Sequence, residues 1–176
     1  NVAVIGDSTF LHSGVTGLIN AVYNESGITL IILDNSTTGM TGHQDHPATG
    51  KNLKGEPAPA VLLDDLCRAC GVKDVAVVDA YDIAAVEKAV KSAIASDEVS
   101  VIIAQRPCVL LDKSPKPKAE VNGCRNCGKC MKLGCPAIVK TDSGIRIDPI
   151  QCTGCGQCVQ VCPFGCIKII GEGAEK

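Results

Sequence analysis

Two runs of closely spaced cysteines contain eight of the twelve cysteines in this chain of 176 residues. The first run has the spacing C-x2-C-x2-C-x4-C-P and comprises Cys124, Cys127, Cys130 and Cys135. The second has the spacing C-x2-C-x2-C-x3-C-P and comprises Cys152, Cys155, Cys158 and Cys162. Three thiolates on one tight loop can hold three corners of a cubane, and the fourth ligand must come from elsewhere. The spacing therefore predicts two [4Fe-4S] clusters.

Zinc is the alternative for these runs, but a pair of zinc sites would not need the third cysteine of each run. The other four cysteines show no such pattern. Cys67 and Cys70 lie near the end of a predicted helix, where small buried cysteines are common, and we expect them to be structural. We also expect Cys108 and Cys166 to have packing roles.

Short polar turns follow two predicted strands near the start of the chain. The first turn contains Gly6, Asp7 and Ser8, and the second contains Asp34, Asn35, Ser36 and Thr37. In an open parallel sheet, ligands collect beyond the carboxyl ends of the strands, so we expect both turns at one edge. A helix beginning there would offer N–H groups to a diphosphate, and aspartate and asparagine oxygens suit a divalent cation. Ordinary polar turns are the alternative.

The first 111 residues alternate short apolar runs with helical patterns, which predicts an α/β fold with a parallel sheet and right-handed crossovers. The four strands are nearly continuous in apolar residues, which indicates that helices cover both faces of the sheet. The predicted strands are 2–5, 28–33, 74–79 and 99–104, and the predicted helices are 14–24, 60–70 and 83–95.

Residues 112–123 contain two prolines and scattered charge, which predicts a linker. It would separate an α/β domain at 1–111 from a small α+β, cysteine-rich domain at 124–176. Between the two cysteine runs, the segment KTDSGIRID predicts a hairpin that turns at Asp142, Ser143 and Gly144.

The charge balance argues against nucleic-acid binding, because 17 basic residues against 19 acidic ones provide no basic field. No apolar run approaches the roughly 20 residues of a membrane span, and the N-terminus lacks the order of a signal peptide. We therefore expect a cytoplasmic protein that binds neither nucleic acid nor membrane. Because the sequence runs from Asn1 directly into an apolar strand, we also expect a piece of a longer protein.

The cysteine repeat resembles that of two-cluster ferredoxins, in which the fourth cysteine of each run ligates the other cluster. This resemblance implies that one cluster is bound by Cys124, Cys127, Cys130 and Cys162. It implies that the second is bound by Cys152, Cys155, Cys158 and Cys135. The four-residue gap before Cys135 departs from the commonest pattern, so the position of that ligand is the least defined.

The two polar turns resemble the G-D-x and N motif of thiamine diphosphate enzymes. The resemblance implies that Asp7, Asn35 and the backbone carbonyl of Thr37 bind Mg²⁺. It also places the cofactor-binding residues in the same region of the chain, at Gly6, Ser8, Thr9 and Gly39.

The loop GMTGHQ at 39–44 resembles that of 2-oxoacid:ferredoxin oxidoreductases. Together with GDSTF and HP, it is similar to the large subunit of the indolepyruvate ferredoxin oxidoreductases, over nearly the whole chain. The resemblance implies oxidative decarboxylation of arylpyruvates to acyl-CoA, with electrons passing through two clusters to an external ferredoxin. The implied partners are a smaller subunit, coenzyme A and a 2-oxoacid. Such enzymes need a glutamate from a separate pyrimidine-binding domain, so we expect this chain alone to be catalytically incomplete.

Three histidines accompany these turns. His43 and His46 follow the predicted metal-binding turn, and we expect them to be catalytic. His12 is a candidate to flank the cofactor. For each, a solvated surface histidine is the alternative.

Two other functions remain open at the level of the sequence. A ferredoxin-type electron carrier fused to a non-catalytic α/β domain would bind clusters but not thiamine diphosphate. A regulatory or assembly module would have neither activity.

Overall fold

The computed structural model describes residues 1–170, and they form two compact units. The first comprises Asn1–Asp112 and the second begins at Lys113. The final residues of the predicted cysteine-rich domain, 171–176, lie outside the described residues.

A four-stranded parallel sheet forms the centre of the first unit, in the order β1-β2-β4-β3. The strands are β1 (Val2–Gly6), β2 (Thr29–Asp34), β3 (Asp74–Asp79) and β4 (Ser100–Gln105). The predicted α/β fold with a parallel sheet is therefore confirmed. Because all four strands point the same way, their carboxyl ends share one edge of the sheet.

The first helical segment begins directly at the end of β1. It consists of α1 (Asp7–Thr9), a π-helical stretch (Phe10–Gly14) and α2 (Val15–Tyr23). We predicted a helix only from residue 14, so the prediction was wrong by about two turns. A Cβ at Gly14 would lie 2.9 Å from side-chain carbons of Ile5 and Phe10, so this glycine lets the helix approach the strand closely. Asp7, Ser8 and Thr9 look like a turn in the sequence, but tertiary packing makes them helical.

The other helices of this unit match their predicted positions. They are α3 (Leu63–Ala69) and α4 (Ile83–Ile94). The side chain of Asp82 caps α4 by accepting a hydrogen bond from the backbone N–H of Ala85.

The hydrophobic core of the first unit includes Phe10, Leu18, Ile32, Cys67 and Ile103. β4 lies in the interior of the sheet and five of its six residues are buried, as predicted for a strand covered on both faces. β1 lies at an edge and differs, because Val2 and Val4 are 49% and 61% exposed. The prediction that both faces are covered therefore does not hold for this strand among residues 1–170.

The second unit contains two antiparallel pairs, β5 (Lys118–Val121) with β8 (Ile167–Ile170), and β6 (Ile138–Thr141) with β7 (Gly144–Ile147). A 3-10 turn (Cys130–Leu133) and α5 (Gln157–Val161) complete it. The β6–β7 hairpin turns at Asp142 and Ser143, so the predicted hairpin is confirmed. The linker prediction is wrong at Lys118–Val121, because these residues form β5. Its partner strand lies almost 50 residues later, where a local pattern gives no signal.

Within residues 1–170, none of the helices has both the length and the apolar character needed to span a bilayer.

The alternation of side chains along β2 gives a testable difference in stability. Ile32 is fully buried and Leu33 is 48% exposed. We expect Ile32→Ala to lower the free energy of unfolding by about 2–5 kcal/mol and Leu33→Ala by less than about 1 kcal/mol. Both tyrosines lie in the first unit, so tyrosine fluorescence during a urea titration follows that unit. Equal losses would show that β2 does not bury the face described here.

Candidate cluster and cofactor sites

The second unit brings the eight cysteines of the two runs into two separate pockets. The first pocket is lined by Cys124, Cys127, Cys130 and Cys162, and Cys166 also reaches it. The second is lined by Cys135, Cys152, Cys155 and Cys158. Each pocket thus takes three cysteines from one run and the fourth from the other. This is the exchange of fourth cysteines that the resemblance to ferredoxins implies.

The thiols within each pocket influence one another. Burial and, to a smaller extent, the neighbouring thiols of Cys155, Cys152 and Cys135 together raise the pKa of Cys158 to about 11. Burial likewise raises the pKa of Cys130, with added contributions from Cys124, Cys127 and Cys162. A bound metal ion offsets such a cost because it stabilises the thiolate form directly.

Backbone N–H groups point at several of these sulfurs. The amides of Asn126 and Ala119 donate to the Sγ atoms of Cys124 and Cys152, at 3.3 and 3.4 Å. Burial would raise the pKa of Cys162, but hydrogen bonds from the amides of Phe164, Cys166 and Ile167 lower it below its ordinary value. Such bonds tune the reduction potential of a cluster.

Two glycines leave space for these loops. A Cβ at Gly144 would lie 3.0 Å from the Sγ of Cys124, and its φ of +136° disfavours other residues. A Cβ at Gly154 would lie 2.2 Å from the carbonyl oxygen of Pro117, so this glycine lets the second cysteine run pass close to the chain before β5. Both glycines therefore allow an approach that no larger residue would permit.

The remaining cysteines lie in different surroundings. Cys67 is fully buried in the core of the first unit, where burial raises its pKa to about 11, and Cys70 is half-buried beside it. Cys166 donates its S–H to the carbonyl of Gly123 and its N–H to the sulfur of Cys162. Cys166, for which we expected a packing role, is therefore part of the wall of the first pocket.

At the carboxyl edge of the first unit, Asp7 joins the two predicted polar turns. Its carboxylate is 3% exposed and accepts hydrogen bonds from the backbone N–H groups of Ser8 and Ser36, at 2.8 and 3.0 Å. The hydroxyls of Ser8 and Thr38 lie 2.8 Å apart and form a second link. The turns after β1 and β2 are therefore neighbours, as the parallel-sheet prediction requires.

The second turn is shaped by Asn35 and Asp34. The Asn35 amide oxygen accepts a hydrogen bond from the N–H of Thr37, which is buried. Asp34 accepts hydrogen bonds from Ser36 and, at 2.6 Å, from the side chain of Gln105 at the end of β4. We did not predict roles for Asp34 and Gln105. The available signal was that Gln105 directly follows the fourth predicted strand (99–104), at the edge where ligands collect.

Asp7 lies in an electrostatically unfavourable position for a carboxylate. Burial raises its pKa above the ordinary value, and the neighbouring Asp34 adds to the effect, while the amide of Ser8 and the His46 imidazole oppose it. His46 is buried, and its Nε2 lies 3.2 Å from Asp7 Oδ2 without the geometry of a hydrogen bond. Two buried carboxylates this close together make a site that a cation would stabilise.

The other predicted site residues lie on the same two turns. Gly6 and Gly39 are half-buried, and Thr9 is exposed in α1. A Cβ at Gly6 would meet open space. Among residues 1–170, no three histidine, cysteine, aspartate or glutamate side chains converge on the position of a single metal ion. The predicted Mg²⁺ ligands are a different set, comprising one carboxylate, one amide and one backbone carbonyl.

His43 lies in the loop after this turn and has a left-handed backbone, with φ of +63°. Its Nε2 lies 3.8 Å from the sulfur of Cys108, whose N–H donates to the carbonyl of Asn35. The structure thus adds Cys108, which we expected only to pack, to the edge that carries the candidate site. His12 is exposed on the π-helical stretch.

Comparison with known families agrees with this geometry. Residues 1–104 match the family profile described as "Thiamine pyrophosphate enzyme, C-terminal TPP binding domain". Residues 145–168 match the profile of the "4Fe-4S binding domain". The resemblance to thiamine diphosphate enzymes is therefore confirmed, and the second match includes the second cysteine run.

Several curated relatives bear the name "Indolepyruvate oxidoreductase subunit IorA". That of Methanothermobacter marburgensis is 42% identical over 97% of this chain, and that of Archaeoglobus fulgidus is 41% identical over 95%. That of Pyrococcus horikoshii is 42% identical over 98%. The chain spans 28% of the length of each of these relatives.

The close approach of Gly144 to Cys124 predicts a selective effect on one pocket. We expect Gly144→Ala to displace the Cys124 sulfur and to lower the iron and sulfide content by about half, because the second pocket stays intact. Gly165→Ala is the control, since Gly165 also has a positive φ but open space at its Cβ. Chemical analysis of iron and sulfide measures the outcome. Equal loss in both variants would contradict the role given to Gly144.

The raised pKa of Asp7 predicts a pH dependence of stability in the absence of divalent cations. As the pH rises through the ordinary value of 3.8, the unfolded chain releases the Asp7 proton before the folded protein does. The folded state therefore loses stability over this window. We expect the change in stability caused by Asp7→Asn, relative to the unmodified protein, to be more favourable at pH 7 than at pH 4. Thermal unfolding of both proteins at both pH values tests this. The same effect of Asp7→Asn on stability at pH 4 and pH 7 would contradict it.

Proposed function

Because the chain belongs to the family of thiamine pyrophosphate enzymes through their C-terminal TPP-binding domain, we propose that it binds the diphosphate of thiamine diphosphate through Mg²⁺ and passes electrons to two [4Fe-4S] clusters. The observation that carries this proposal is the buried Asp7 carboxylate, which ties together the turns after β1 and β2. It lies at the edge of a parallel sheet where ligands collect.

Asp7, Asn35 and the carbonyl of Thr37 would bind the Mg²⁺. The fit rests on the chemistry of the donors, because carboxylate, amide and carbonyl oxygens are the ligands this ion prefers. The buried carboxylates of Asp7 and Asp34 also favour a cation. Gly6, Ser8, Thr9 and Gly39 would surround the diphosphate. When bound, thiamine diphosphate supplies the electron sink for cleavage beside a carbonyl.

Asp34 and Gln105 act on this site indirectly. Asp34 accepts hydrogen bonds from the amide of Ser36 and the side chain of Gln105, so it fixes the turn that carries Asn35. His46 contacts Asp7 and orients its carboxylate. His43 and Cys108 lie beside the same turn, where we propose that His43 reaches the substrate and moves protons.

The cysteine pockets would hold the two clusters. We propose Cys124, Cys127, Cys130 and Cys162 as ligands of the first. We propose Cys135, Cys152, Cys155 and Cys158 as ligands of the second. The support is the separation of the eight thiols into two sets of four, with backbone N–H groups aimed at sulfur in both. Thiolate clusters exchange single electrons, which suits a chain of one-electron steps.

For the whole protein we propose a cytoplasmic 2-oxoacid:ferredoxin oxidoreductase that decarboxylates arylpyruvates such as indolepyruvate to acyl-CoA. The support is the name of relatives about 40% identical over nearly the whole chain, which is itself 28% of their length. The remaining partners would be a smaller subunit, coenzyme A and an external ferredoxin. The pyrimidine-activating glutamate would come from another domain.

Substitution of Asp7 tests the cofactor site. With the full-length protein in Mg²⁺, we expect Asp7→Asn to weaken thiamine diphosphate binding roughly 100-fold, because a charged metal ligand becomes neutral. Isothermal titration calorimetry measures the affinity. Asp74→Asn is the control, since Asp74 is an exposed aspartate at the opposite end of the sheet, where β3 begins. Unchanged affinity in Asp7→Asn would refute the proposed site.

The same preparation separates an enzyme from an electron carrier. An enzyme would reduce its own clusters when a 2-oxoacid and coenzyme A are added with thiamine diphosphate, which bleaches their visible absorbance. A carrier fused to a non-catalytic domain would contain clusters but neither bind the cofactor nor respond to any 2-oxoacid. Comparison of indolepyruvate, phenylpyruvate and pyruvate would identify the substrate class.

A further inference from the structure

The surroundings of the two cysteine pockets differ in charge. Residues 122–141, which include the first run, contain four basic residues and no acidic ones. These basic residues are Arg125, Lys129, Lys132 and Lys140. Residues 149–167, which include the second run, contain no charged residue at all. The segments that carry the two runs therefore differ in charge, and the one cation bonded to the second pocket's cysteines among the described residues is the half-buried Lys118, which donates to the carbonyl of Cys152.

The basic residues of the first run lie at the surface. Arg125, Lys129 and Lys132 are exposed, and Arg125 also lines the pocket. The Arg125 guanidinium stacks over the ring of Phe164, 5.2 Å from its centroid, and this ring is 49% exposed. We call the surface formed by Arg125, Lys129, Lys132, Phe164 and the exposed Met131 the cationic face.

The second pocket has a different wall. Apolar and neutral polar side chains line it, among them Leu133, Ile147, Gln151 and Gln157. None of its lining residues is charged. Each pocket contains one buried cysteine, Cys130 in the first and Cys152 in the second, but Cys127 in the first pocket is the one exposed cysteine among the eight. Of the two proposed clusters, the first is thus the one that an external protein can approach closely.

We propose that the cationic face is the docking surface for an acidic one-electron carrier protein, and that electrons leave through the cluster of the first pocket. This inference rests on the proposed electron-transfer function and identifies its exit. One electron passes from the reduced cluster to an oxidised iron–sulfur centre of the carrier, and no bond forms or breaks. The partner is acidic because a cationic face attracts negative charge and repels positive charge.

The composition of the face suits a brief encounter. Exposed charges steer an oppositely charged partner and accelerate association, and salt screens them. Phe164 and Met131 supply an apolar centre that a partner can desolvate without a large interface, as in transient electron-transfer complexes. Arg125, which lines the first pocket, would favour the extra negative charge of a reduced first cluster. The electron would therefore rest at the exit site.

A binding experiment tests the docking surface. The full-length protein, with its clusters reconstituted, is titrated calorimetrically with a purified acidic two-cluster ferredoxin at low and high ionic strength. We expect Lys129→Glu combined with Lys132→Glu to weaken binding at least tenfold at low salt, and a smaller difference at high salt. The matched control is Lys54→Glu combined with Lys88→Glu, which changes the net charge equally at exposed positions of the first unit. Arg125→Gln serves as a milder second variant.

The outcomes separate this inference from the proposed function, because the titration needs neither thiamine diphosphate nor a 2-oxoacid. Iron analysis of each variant shows whether the clusters are intact, and Arg125→Gln substitutes if the double variant loses iron. Equal affinity for the ferredoxin in the variant and the control would overturn the proposal. So would equal binding of a basic c-type cytochrome, or binding of a single-stranded DNA oligonucleotide as tight as that of the ferredoxin. A third outcome would refute the proposed catalysis but not the docking surface. In that case the protein does not bind thiamine diphosphate, and affinity for the ferredoxin falls in the Lys129→Glu, Lys132→Glu variant but not in the control.

Discussion

The hydrogen bonds from the Ser8 and Ser36 amides to the Asp7 carboxylate hold the candidate cofactor site together. The bond from Ser36 connects the start of α1 with the turn after β2, and the parallel pairing of β1 with β2 is what brings these two segments to one edge. Asp34 continues the connection to Gln105 at the end of β4. Three strand ends are thus linked by buried carboxylates, in a region where a lone charge would be costly.

This arrangement explains why the site is both rigid and electrostatically unsatisfied. Each Asp7 oxygen accepts a backbone hydrogen bond, yet burial and the nearby Asp34 still disfavour its ionised form. His46 lies close enough to orient the carboxylate without satisfying its own nitrogen. A divalent cation would offset the unfavourable charge of the two carboxylates. Under the proposed function, these hydrogen bonds would hold the metal-binding residues in place before the cation binds, which reduces the entropy lost on binding.

The second unit depends on a different constraint. It is small, and the buried hydrophobic residues at its centre, including Ala119, Ile138, Ile147 and Ile167, form a limited core. Small domains of this kind commonly gain stability from disulfides or metals. Because each pocket takes its fourth cysteine from the other run, bound clusters would tie the two halves of the unit together. The Gly144 and Gly154 loops make room for that crossing.

The sequence alone determined the alternation of strands and helices, the β6–β7 hairpin and the family, because apolar periodicity, turn residues and short motifs are local signals. Fixed cysteine spacings likewise indicated iron–sulfur chemistry. Only the tertiary structure decided that the first helix begins at Asp7, that Lys118–Val121 pairs with β8, and that Asp34, Gln105 and Cys108 join the edge of the sheet. Those features depend on contacts between residues that are distant in the chain, and no local pattern encodes which distant partner a residue will meet.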